Sequence, residues 1–64
     1  MFKDMTDTGL AIAIVVTQKM LYNAAELKMH SQQGRLMRDL DIAVAVKRQR
    51  IKAGTWNPAP AETW

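Results

Sequence analysis

No cysteine occurs anywhere in these 64 residues, and that absence constrains the fold more than any motif the chain contains. A chain this short buries only about 60% of the surface it exposes when unfolded, so small domains lean on disulfides, metals or association. Disulfides and thiolate zinc sites are excluded, and one histidine, His30, is too few for an imidazole-based metal site. Association with other protein is the staple that remains. The chain is nevertheless built to fold: 48% apolar and 23% charged residues with a net charge of +3 do not match the composition of disordered segments. Its length admits one small unit and no second domain.

The longest apolar stretch, Leu10 to Val16, is seven residues, against the roughly 20 needed to cross a bilayer. Gln18 and Lys19 follow closely, Lys3 is offset by Asp4 and Asp7, and no small-residue cleavage site follows the stretch. Neither a transmembrane helix nor a signal peptide is expected. The absence of cysteine fits a reducing compartment; a reducing compartment or a virus particle is the location expected.

Charge divides the chain. Residues 1–34 hold three basic and three acidic groups, whereas residues 35–52 hold six basic groups against Asp39 and Asp41, net +4. The first segment reads as a helix over 7–31. Thr6, Asp7 or Thr8 can cap its first turn, and the acids there suit the helix dipole. Leu10, Ala13, Ile14, Val16, Met20, Leu21, Ala24, Ala25 and Leu27 form an apolar arc wide enough to be enclosed on more than one side. Gly34 offers the left-handed conformation that ends helices. A second helix is predicted over 35–52, with Leu36, Met37, Leu40, Ala43, Val44 and Ile51 on one face. Ile42 and Val46 fall on another, which reads as a second contact surface. Arg35–Asp39 and Arg38–Asp41 have the spacing of weak surface pairs.

The fold class predicted is therefore all-α: residues 1–53 form one helical unit, a two-helix hairpin or a bent rod, and residues 54–64 form an extended arm. An alternative comes from alternation. Leu10-Ala-Ile-Ala-Ile-Val-Val and Leu40-Asp-Ile-Ala-Val-Ala-Val both repeat with period two, 30 residues apart, as two parallel strands of a βαβ unit completed by a partner would. The alanines at 11, 13, 43 and 45 favour helix, and no turn residues bound the runs.

Candidate sites are few. His30 and Ser31 are adjacent and do not face one another on a helix, and Asp39 and Asp41 diverge likewise; His30 reads instead as a surface residue, one turn from Glu26. No phosphate loop, nucleophile elbow or metal-spaced ligand set is present. No enzyme activity, cofactor or small-molecule substrate is expected. The run Lys47-Arg48-Gln49-Arg50-Ile51-Lys52 complements a helix C-terminus, and Lys47, Arg48, Arg50 and Lys52 together suit an acidic protein surface or nucleic-acid phosphates. In the tail, Pro58 and Pro60 exclude helix, and Trp56 and Trp64 are aromatic anchors of the kind that dominate interfaces. Trp56, Pro58, Pro60, Trp64, Ile42 and Val46 are the candidate partner-binding residues. The alternative for Trp56 is that it folds back on its own helices.

These features together predict a non-enzymatic structural or adaptor subunit that binds protein, either its own copies or a larger assembly. A minor component of a virus or phage particle is the form favoured. A small basic nucleic-acid-binding regulator is the first alternative, and a membrane-surface amphipathic peptide the second.

Overall fold

The computed structural model describes residues 2–60. A short 3₁₀ turn at Phe2–Asp4 leads into two helices, α1 (Asp7–Glu26) and α2 (His30–Ala53), folded back on each other as a hairpin. No strand occurs among the described residues, so the βαβ alternative is overturned. Its two alternating runs do meet, but as helix faces: Leu10 and Ile14 of the first pack with Ala43 and Val46 of the second to form the core.

Of the three cap candidates, Thr6 fills the role. Its backbone is extended (φ −65°, ψ 162°) and its Oγ1 accepts the Gly9 N–H at 3.0 Å, which satisfies one of the free amides of the first turn. Asp7 follows inside that turn, where the helix dipole favours a carboxylate.

The end of α1 departs from the predicted 7–31. The helix stops at Glu26, and Lys28 takes the left-handed conformation (φ 55°). The Met29 N–H reaches the Ala24 carbonyl at 2.9 Å and the Lys28 N–H reaches Ala25 at 3.2 Å, the paired bonds of a Schellman ending. Gln33 donates a side-chain bond to the same Ala24 carbonyl at 3.3 Å. Gly34, predicted to end the first helix, lies inside α2.

The physical reason is register. A hairpin turning about residue 28 sets Leu10 opposite Val46 and Ile14 close to Ala43, the observed core. A turn at residue 34 would set Leu10 opposite residue 58 instead. Burying a Leu, Ile or Val side chain yields about 1.5–3 kcal/mol each, whereas a left-handed non-glycine residue costs about 1–2 kcal/mol. Packing outweighs the local preference for glycine. At the far end of α2 local preference and fold agree: Gly54 (φ 75°) closes the helix, with its own N–H bonded to Ile51 and that of Thr55 to Arg50.

Among the described residues the buried ones are Leu10, Ala11, Ile14, Ala24, Ala43 and Val46, and three of these six are alanine. Alanine lets the helices approach closely but leaves little apolar volume between them. Leu10 is the one large side chain among the described residues with no exposed surface. The radius of gyration is 12.7 Å, against about 11 Å for a compact chain of this length, and the body measures 38 × 24 × 16 Å. Among the described residues, no helix is long and apolar enough to cross a membrane.

Candidate interaction surfaces

At the open end of the hairpin, the predicted basic run is split by the fold. Arg50 turns inward. Its Nη1 donates to Asp7 Oδ1 at 2.8 Å, and its Nη2 donates to the Met5 carbonyl at 2.7 Å and the Lys3 carbonyl at 3.1 Å. One planar guanidinium thus ties the end of α2 to the start of α1 and to the segment before it, a role its fixed fork of donors suits. The carboxylate is used on both sides, because Asp7 Oδ2 accepts the Asn57 N–H at 2.8 Å.

Residues 55–60 run back across the start of α1. After the Asn57 bond, the Ala59 N–H donates to Thr8 Oγ1 at 2.8 Å. The prolines at 58 and 60 alternate with these donors and have no N–H to satisfy. Trp56 lies half-buried against the core cluster. The Lys47 ammonium stands 5.6 Å from its ring centroid, within range of a cation–π attraction.

These contacts revise the predicted sites. Arg50 is not an outward cation: it is occupied within the chain. Lys47 is half-buried with its charge over Trp56, leaving Arg48 and Lys52 as the exposed cations of the run, beside Gln49 and Ile51 in a shallow depression. Trp56 and Pro58 are half-buried on their own chain, as the alternative for Trp56 had it, and Pro60 is exposed. Trp64 lies outside the described residues. Val46 is buried in the core rather than on a second contact surface, because it stands one turn from Ala43 and faces α1. Ile42, its expected companion, stays exposed beside Phe2, Lys3 and Asp39.

One sequence signal could have found the inward cations. Leu36, Leu40, Ala43, Lys47 and Arg50 follow a 4-3-4-3 spacing, so the two cations continue the stripe that faces α1. Arg35–Asp39 and Arg38–Asp41 do not pair; Arg50–Asp7 is the ion pair among the described residues. Glu26 and His30 are separated by the turn and share no helix. Among the described residues, no group of three His, Asp or Glu side chains is placed to hold a metal.

The loop end has a different character. Tyr22 is 77% exposed, Leu27 69% and Met37 55%, with Met20 and Met29 also exposed. The arc predicted to be enclosed on several sides is covered on one: Leu10, Ile14 and Ala24 face α2, while Val16, Met20 and Leu27 face outward. The chain matches no protein-family model, no curated protein and no solved structure.

Proposed function

We propose that this chain is a non-enzymatic structural or adaptor subunit that works by docking the apolar flanks of its hairpin onto other protein. The observation that supports this reading is an imbalance. Among the described residues six are buried, three of them alanine, whereas nine large apolar side chains stand exposed. A chain of this size with so small a core draws stability from surfaces outside itself, and the exposed apolar side chains are what such a surface would cover. The particle of a virus or phage is one assembly in which such a subunit serves.

A nucleic-acid role would use the outer face of the same helix end, where Arg48 and Lys52 remain. Two phosphate contacts would give a log–log salt slope of only about −2, too shallow for tight binding at physiological salt. The protein-docking reading therefore stands first.

Urea unfolding followed by circular dichroism, from low to high protein concentration, tests it. The expected result is a marginal isolated chain whose midpoint rises with concentration or with added partner, as mass action requires. A dilute monomer that unfolds cooperatively with a concentration-independent stability of about 5 kcal/mol or more would overturn it.

A further inference from the structure

The tail is held in the way a ligand is held. Asp7 Oδ2 accepts the Asn57 N–H and Thr8 Oγ1 accepts the Ala59 N–H, each at 2.8 Å, while Trp56 packs against the core cluster with the Lys47 ammonium over its ring. Pro58 and Pro60 carry no N–H, so every backbone donor from Asn57 to Pro60 goes to the first turn of α1. Arg50 holds Asp7 through the other carboxylate oxygen and uses no atom of the tail in doing so. The seat is thus built by the hairpin, and the tail fills it.

We infer that this seat is a peptide-recognition site, and that residues 55–60 of a second copy exchange into it. The inference rests on the docking reading above for what brings copies together, and it names a segment and a seat through which two of them join.

The occupant is selected by the segment already seated there. A second copy supplies the same Trp56, the same two donors and the same prolines, so a tail received from a neighbour makes every contact that the chain's own tail makes. Proline at alternate positions stiffens the segment before it binds, which lowers the entropy cost of seating it from either source.

The two sources differ only in the connection. Gly54, in the left-handed conformation (φ 75°), turns the chain from the end of α2 back towards α1, and Thr55 alone separates it from Trp56. So short a tether presents the tail to its own body at an effective concentration on the order of millimolar. At micromolar concentration the chain therefore keeps its own tail. Exchange takes over where copies are held at millimolar local concentration, as they are inside an assembly. Reciprocal exchange closes a two-fold dimer, and one-way exchange runs on from copy to copy.

The hinge supplies the test. A Cβ at position 54 meets nothing within 4 Å, but the left-handed backbone there disfavours it, by about tenfold in population and more for a β-branched side chain. Gly54→Val, made in the full chain with Trp64→Phe so that Trp56 is the reporter, weakens docking in cis and leaves the seat untouched. Two hinges are relieved in each reciprocal dimer, so dimerisation should tighten about 100-fold, from millimolar to about tens of micromolar. The variant should sediment as a dimer at hundreds of micromolar, with Trp56 emission as blue as in the native fold. Asn57→Pro together with Ala59→Pro, added to it, removes both donors and should return it to monomer with its helical circular dichroism unchanged. A Gly54→Val chain that stays monomeric at hundreds of micromolar overturns the exchange, whatever its Trp56 emission. A dimer that survives the loss of both donors is held by another surface; it overturns this site while leaving the docking reading intact. That reading falls by the unfolding test above.

Discussion

The two ends of this hairpin are built from the same helices but held by different means. At the open end Leu10, Ile14, Ala43 and Val46 pack under Phe2, Met5 and Trp56, and Arg50, Asp7 and Asn57 form a charge-assisted network over them. At the loop end Ala24 is the buried residue, one side-chain bond from Gln33 closes the turn, and Tyr22, Leu27, Met29 and Met37 are exposed. A small core cannot serve the full length of two helices. It is concentrated where polar bonds reinforce it, and the remaining apolar side chains stay exposed.

The sharpest way to break this comparison is truncation at each end. Leu10→Ala should cost about 2–5 kcal/mol, most or all of what a chain this size has, and would show as loss of cooperative urea unfolding at low protein concentration. Leu27→Ala, at the bare end, should change the stability of the monomer by no more than about 0.5 kcal/mol. Equal losses at the two sites would mean that the ends do not differ.

The polar network comes next. Hydrogen bonds to charged groups contribute about 1.5–3 kcal/mol each when one partner is lost, so Arg50→Ala and Asp7→Ala should each destabilise by about 2 kcal/mol. In a Trp64→Phe background, the emission of Trp56 should shift to the red in both variants as the tail leaves α1. The double variant should lose little more than either single one, because the two side chains act as one unit.

The smallest effects test the turn. Gly34 lies inside α2 with nothing within 4 Å of where a Cβ would stand, so Gly34→Ala should stabilise by about 0.5–1 kcal/mol. Lys28→Gly should stabilise by a similar amount by relieving the left-handed residue. Were the helix to end at residue 34, the first substitution would instead destabilise.

The general architecture was legible in the sequence for a simple reason. Helical faces that continue past the alternating runs, an N-cap residue before them and Gly54 after them all point to the same two-helix form. The position of the turn was not legible, since left-handed geometry favours glycine and Gly34 stood ready, while the core register placed the bend at a lysine. The site was read less well. A run of cations on one chain looks like an outward patch until the partner of each is known, and the acceptors of Arg50 lie 43 to 47 residues away. The exclusion of Val46 from a contact face likewise depends on which side of α2 meets α1, and the spacing of Leu36, Leu40 and Ala43 already carried that information.

The long span of the Arg50 network has a consequence for how the molecule comes into being. Asp7 is synthesised 43 residues before Arg50 and 50 before Asn57, a delay of roughly 2–10 s at ribosomal speeds. Until then neither native donor to the Asp7 carboxylate exists, so the network that closes the open end is the last part of the molecule that can form.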